Sequence, residues 1–341
     1  MLTQFQPYAE SSGLSNLEGI VAATLDPNSC WRNIAFTLIA PVMSVKPCMS
    51  TISLPPLPSG GCTLCIFGRS KFTQTMPPPA PRLRVRLYLG LDRWLQRWVR
   101  LFGVLHEGFW LGCLDPEDLT AVTIRSFQQS CLYSGREHNQ SGLFPWERET
   151  IDRFFRPSSR ILVAACGGGR ELIALHRLGF QADGFDCTPR LVETSQRLLQ
   201  ELGIRSNVML CPPNEVPREL TPHDGLIVGW TAYMQIPGSA RRIAFLRKLR
   251  ASVPPEAPVL VSFWVKEGAS ADEGRVFRLG NWLRSLRGRR AEPLEPGDHV
   301  TNRGYHHCFA KEEIEAEFKA GGFRMCHYSQ ADHPYAVGIA E

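Results

Sequence analysis

The stretch from Arg160 to Asp186 restricts the fold of this chain more than any other. Ile161, Leu162, Val163, Ala164 and Ala165 form an unbroken apolar run, the pattern of a strand covered on both faces of a parallel sheet. Cys166, Gly167, Gly168 and Gly169 end it. Leu172, Ile173, Leu175 and Leu178 then recur at helical spacing up to Gly179, a residue suited to the left-handed position beyond a helix end. Gln181 to Phe185 make a second strand, and Asp186 stands at its carboxyl end, where open parallel sheets present ligand-binding groups. Strand, glycine turn, crossover helix and strand together imply an α/β sheet.

The turn has the features of a nucleotide cradle. Without a Cβ the backbone approaches a ligand lying across the strand ends, and an acid after the second strand can accept hydrogen bonds from both hydroxyls of a ribose. A dinucleotide site wants G-x-G-x-x-G, so that a pyrophosphate meets the helix N-terminus. Here the third glycine of that frame is Leu172.

Ala165-Cys166-Gly167-Gly168-Gly169 resembles motif I of the class I S-adenosylmethionine-dependent methyltransferases, G-x-G-x-G, with Ala165 in place of the first glycine. Asp186 matches that family's ribose-binding acid. The acid often found two residues before the first glycine is Val163, so contact to the methionine amino group is expected from Glu171. The resemblance implies S-adenosyl-L-methionine as cofactor, held by Ala165, Gly167, Gly168, Gly169, Glu171, Asp186 and Cys187. It places Cys211 and Asn214, after the third strand, beside the adenine, and Gly229 and Trp230, after the fourth, at motif IV between donor and acceptor. No Asn-Pro-Pro-Tyr or Asp-Pro-Pro-Tyr occurs at that place, so the device that holds a planar nitrogen is missing.

Downstream elements follow the family's order. Thr188-Pro189 starts a second crossover helix that runs to Gly203. Asn207 to Cys211, Asp224 to Gly229 and Pro258 to Phe263 are the third, fourth and fifth strands, and a helix begins after Ser239. An insertion at 268–303 contains a helix, Gly274 to Arg287, and a polar loop. Its arginines, including Arg275, Arg278, Arg284, Arg287, Arg289 and Arg290, are read either as solvated or as holding an anionic acceptor. Lys311 to Ala320 is the last helix. Phe323 to Ser329 and Tyr335 to Ala340, joined by Asp332-His333-Pro334, form an antiparallel pair. The resemblance thus implies a Rossmann-like seven-stranded sheet of order 3-2-1-4-5-7-6 with strand 7 antiparallel. His307 and Tyr233 are the expected catalytic groups, taking a proton if the acceptor is a hydroxyl.

Residues 1–80 form a low-complexity extension poor in charge and without apolar period, for which little stable structure is expected. Its Cys62-x-x-Cys65, with Cys30 and Cys48, lacks the spacing of a zinc site, and no metal site is expected. Leu83 to Leu111 is a long helix in which Leu87, Leu91, Trp94, Trp98, Leu101 and Leu105 share one face and Arg86, Arg93, Arg97 and Arg100 lie largely elsewhere. Its apolar stripe is read as a core face, with an anionic membrane surface as the other reading. This helix opens a helical cap, 81–146, in which Tyr133, His138 and Trp146 are the expected substrate-binding groups. The domain proper spans 147–341. Cap and insertion are expected to close over the donor and bring Trp146, Tyr233 and His307 together at the transferred methyl.

A net charge of +5 is mild and does not call for nucleic acid. Eleven scattered cysteines without a targeting segment read as reduced thiols of a cytoplasmic protein. The expected function is methyl transfer to a small-molecule acceptor. The alternatives are a non-catalytic binding protein of the same fold and a dinucleotide-dependent oxidoreductase.

Overall fold

A computed structural model describes residues 82–341 apart from 219, 267, 269, 289–291 and 332, so the extension 1–80, Arg289 and Arg290 lie outside the described residues. The chain divides into two units, Met1–Phe102 and Gly103–Glu341.

The second unit is built on the buried apolar runs. Strands β1 (Arg160–Ala164), β2 (Gln181–Asp186), β3 (Val208–Leu210), β4 (Gly225–Val228), β5 (Pro258–Ser262), β9 (Phe323–Ser329) and β10 (Tyr335–Ala340) form one sheet. Its order is β3-β2-β1-β4-β5-β10-β9, and β10 runs antiparallel to both neighbours. This is the expected order, and the last two strands have the expected bounds. Alternation along each strand divides the core. Leu162, Ala164, Leu226, Val228, Val259 and Val261 pack on one side with Phe245, Leu246 and Phe318, while Ile161, Val163, Ile227 and Leu260 pack on the other with Ile173, Leu175 and Leu198.

Helices cover both faces. α1 (Leu83–Cys113), α2 (Pro116–Gln129), α3 (Cys131–Ser134), α4 (Arg136–Gln140) and α5 (Pro145–Phe154) precede β1. α6 (Arg170–Arg177) and α7 (Pro189–Glu201) are crossovers, α8 (Ser239–Arg250) joins β4 to β5, α9 (Ala271–Leu286) lies in the insertion, and α10 (Lys311–Ala320) leads into β9. Local chemistry sets the helix starts. In α5, Pro145 occupies the first turn and Glu147 Oε2 accepts the Phe144 N–H at 2.8 Å. Before α9, Ser270 Oγ accepts the Glu273 N–H at 3.1 Å.

The insertion differs from the expected polar loop. β7 (Asp298–Thr301) and β8 (Gly304–Phe309) form a hairpin, and β6 (Trp264–Val265) pairs with β8 to complete a second, three-stranded sheet. Two-residue periodicity produces it, because Tyr305, His307 and Phe309 point inward together. The hairpin packs with α2 and the carboxyl end of α1 around Val104, Leu111, Leu119, Val276, Val300 and Tyr305. Gly112 lets α9 pack against the same end of α1, since a Cβ there would lie 2.6 Å from the Leu283 Cβ. Arg284 Nε donates to Leu111 O at 2.9 Å and Arg287 Nη1 to Cys113 O at 2.6 Å. These arginines therefore satisfy the last carbonyls of α1 instead of holding an acceptor. Arg275 pairs with Asp272 at the surface.

Along Leu83–Phe102 the described residues do not supply the cover that the expected core face of α1 calls for. Leu87, Leu91, Trp94 and Trp98 are all exposed, and nothing among the described residues covers them. No described helix is long and apolar enough to cross a membrane.

Candidate cofactor and active site

The turn after β1 is drawn tight by its backbone. Ala165 has φ +55°, Gly167 +54° and Gly169 +97°. A left-handed alanine costs about 1 to 2 kcal/mol, and Ala165 takes that conformation where the G-x-G-x-G frame carries its first glycine. Cys166 N–H donates to Phe185 O at 3.0 Å and holds the turn against the end of β2.

The three glycines have different tasks. A Cβ on Gly167 would point into open space, which leaves that backbone free to meet a ligand. One on Gly168 would strike Tyr133 O and come within 2.5 Å of the Asn139 side chain. Asn139 Nδ2 donates to Tyr133 O at 2.9 Å and Gly135 O at 2.8 Å, so the α3–α4 corner rests directly on Gly168. A Cβ on Gly169 would lie 2.5 Å from Ser195 Oγ of α7. Gly169 is thus required by helix packing, and it does not line the cleft.

That cleft runs across the carboxyl ends of β1, β2 and β4 in two adjoining halves. Thr123, Ala165, Asp186, Cys187, Ala232 and Gln235 line both. One half adds Tyr133, His138, Gly167, Gly168, Arg170, Glu171, Thr188 and Trp230. The other adds Phe185, Cys211, Pro213, Asn214 and Phe245. Asp186 stands where the halves meet. Its Oδ2 accepts the Gly167 N–H at 2.9 Å and its Oδ1 the Thr188 N–H at 2.7 Å. Burial pushes its carboxyl up, opposed by those two donors.

No family model matches this chain, and no curated protein matches it. Among solved structures it is similar to the Burkholderia thailandensis 1,6-didemethyltoxoflavin-N1-methyltransferase, with 18% identity over 67% of this chain and 90% of that one, at a TM-score of 0.47. It is also similar to an amino pentose methyltransferase of calicheamicin biosynthesis from Micromonospora echinaspora, with 16% identity over 62% and 98%, at 0.45. A third is a Methanosarcina mazei S-adenosylmethionine-dependent methyltransferase, with 12% identity over 58% and 96%, at 0.43. The strand order itself settles the architecture. This is a Rossmann-like seven-stranded α/β fold whose last strand runs antiparallel to its neighbours.

Within that fold, Arg170 organises the wall of the first half. Its guanidinium meets both oxygens of Glu147 at 2.7 Å and Glu171 Oε1 at 2.7 Å, and lies 4.3 Å from the Phe144 ring centroid. Burial disfavours the cation, but Glu171 and Glu147 more than offset it and hold Arg170 above its ordinary value. Glu171 therefore lines the cleft already paired. Tyr133 and His138 stand edge to face, ring centroids 5.3 Å apart. Burial, and then the Arg170 charge, push the His138 imidazole down from 6.5, so it is neutral at pH 7.

Five expected site residues fall outside the lining: Gly169, already described, Gly229, Trp146, Tyr233 and His307. Gly229 serves packing, since a Cβ would strike Ala165 O where the exit of β4 meets the turn. Trp146 stacks on Tyr335 with centroids 4.9 Å apart. Tyr233 is fully buried and donates to Glu317 Oε2 at 2.5 Å; burial and Glu317 hold its phenol well above the ordinary value. It opens a one-turn helix, Tyr233–Gln235, that directs Ala232 and Gln235 to the cleft and Tyr233 to the core. His307 Nδ1 lies 2.7 Å from Asp298 Oδ1, which also accepts from Tyr305 Oη at 2.6 Å.

Tyr233 and His307 share one buried polar network. Arg242 meets Glu317 at 2.7 Å and Glu295 at 2.6 Å, and Glu295 Oε2 is 3.9 Å from His307 Nδ1. Glu295, Asp298 and His307 come close enough to suggest metal ligands, yet their oxygens are taken by Arg242, by Tyr305 and by the backbone N–H groups of Ser239 and Glu295. Sequence reasoning missed Thr123, Ile124, Phe127 and Gln235 in the cleft. The first three lie on α2, whose sequence carries no sign of which face meets the sheet ends. Arg170 stood in plain sight beside the glycines, but its two acid partners come from different elements.

Proposed function

We propose that the cleft binds S-adenosyl-L-methionine and that the chain transfers its methyl group to a small-molecule acceptor. One observation carries the reading: a single cleft crosses the strand ends with Gly167 open to it at one side and Asp186 at its middle. A Cβ would fill that cradle. Asp186 holds the ribose, Ala165, Gly167 and Gly168 border the methionine chain, Glu171 takes its ammonium, and Cys187, Cys211 and Asn214 flank the adenine. Bound there, the cofactor supplies an electrophilic methyl on a positively charged sulfur.

The chain's own residues supply position and a proton acceptor. α2, α3 and α4 contribute Thr123, Phe127, Tyr133 and His138 over the first half, which favours a small acceptor over a polymer laid in a groove. Trp230 walls the acceptor side. With Tyr233 and His307 in the core network, the neutral imidazole of His138 is the group at the cleft that takes a proton from the acceptor.

Calorimetric titration of the intact protein with S-adenosylhomocysteine tests this. Binding at one site, weakened in Asp186→Ala, is the expected result. No binding, or binding of NADH in its place, would overturn the reading.

A further inference from the structure

Helix α1 presents a surface that methyl transfer does not use. At about 100° per residue, Leu83, Leu87, Tyr88, Leu91, Trp94 and Trp98 fall on one broad arc of roughly 140°. Their relative exposures are 71%, 64%, 66%, 65%, 56% and 52%. Arg86, Arg93, Arg97 and Arg100 gather in a narrow strip beside the arc, and all four are exposed. Over 83–102 the helix carries five arginines against one acid, Asp92; the fifth, Arg84, falls within the arc at its amino end, and Arg82 immediately precedes the helix.

We propose that this face of α1 is the seat of an anionic lipid surface, on which the helix lies in the plane of the bilayer. Charge complementarity selects the occupant. A strip of one sign beside an apolar arc matches anionic headgroups flanking acyl chains, and arginine stems reach from the arc's edge to the phosphates. Tyr88, Trp94 and Trp98 are the ring types that favour the headgroup level. A second copy of the helix is a poorer fit, since pairing would bring together two strips of like charge, and a helix-pair seam needs a narrower stripe than this arc. The partner is defined by chemistry alone: a membrane leaflet containing acidic phospholipid.

Co-sedimentation of the full chain with vesicles tests the assignment. Vesicles of phosphatidylcholine and phosphatidylglycerol should carry the protein down at low salt, less at high salt, and vesicles of phosphatidylcholine alone should not. Replacing Arg93, Arg97 and Arg100 together by Gln should lower partitioning by roughly 100-fold. Trp94→Glu with Trp98→Glu should abolish it at any salt. Both changes are at exposed positions, and unchanged circular dichroism with unchanged S-adenosylhomocysteine affinity shows that the cleft domain is intact. Failure to sediment with acidic vesicles overturns the proposal, as does sedimentation that the Trp94→Glu, Trp98→Glu variant retains. A dimer in light scattering, lost in that variant and accompanied by no vesicle binding, assigns the face to a second copy.

Discussion

Asp186 already accepts two backbone N–H groups, so the ribose contact proposed for it falls to the lone pairs that Gly167 and Thr188 leave free. Asp186→Ala removes a charge-assisted pair worth about 1.5 to 3 kcal/mol. The expected result is S-adenosylhomocysteine affinity lower by roughly one to two orders of magnitude in calorimetry. The glycines separate ligand space from packing space. At Gly167 an added Cβ has no protein atom within 4 Å, and Gly167→Val should abolish binding at a stability cost of about 1 to 2 kcal/mol for its left-handed backbone. Gly168→Val drives a side chain into Asn139 and the Tyr133 carbonyl, and should lower the thermal midpoint more than Gly167→Val does. A reversed order of midpoints would contradict these roles.

At the scale of elements, two ion-pair centres hold opposite ends of the sheet. Arg170 joins α5 to α6 through Glu147 and Glu171. Arg170→Met would leave two carboxylates buried without a counter-charge, and should cost about 3 to 5 kcal/mol in urea unfolding at pH 7. At the amino ends of the strands, Asp183 of β2 accepts from Asn207 N at 2.9 Å and pairs with His223 at 3.2 Å and Arg160 at 3.1 Å. The His223 hydrogen bond, with those of Asn207 and the Arg160 charge, lowers its carboxyl to about 2. A depressed carboxyl stabilises above its unfolded value of 3.8 and loses that contribution as pH falls through about 2. Acid titration of unfolding free energy should therefore drop across that window, and the drop should shrink in Asp183→Asn.

For the whole molecule, a ligand that binds only the folded state adds about 2.7 kcal/mol of stability at one hundred times its Kd. At about 2 to 4 °C per kcal/mol for a domain of this size, saturating S-adenosylhomocysteine should raise the thermal midpoint by roughly 5 to 10 °C. NADH should leave it unchanged. Scanning fluorimetry checks both, and a shift with NADH alone would favour the oxidoreductase reading.

The sheet was legible because its signals are local. Unbroken apolar runs, helical spacing and a glycine turn identify strands and crossovers wherever the chain goes afterwards, and the last two strands could be bounded from sequence alone. Asp186 was legible too, since a strand's carboxyl end determines which side of the sheet its next residue meets. Tyr233 and His307 were not. In a one-turn helix a shift of one residue exchanges cleft for core, and the partners that settled the outcome, Glu317 and Asp298, come from elsewhere in the chain. Arg170 and Arg284 show the same limit, because a charge run has one appearance in sequence whether it is solvated or paired. An amphipathic helix likewise reads the same facing a protein core or facing away from one, and only tertiary structure decided that the stripe of α1 is uncovered by any described residue.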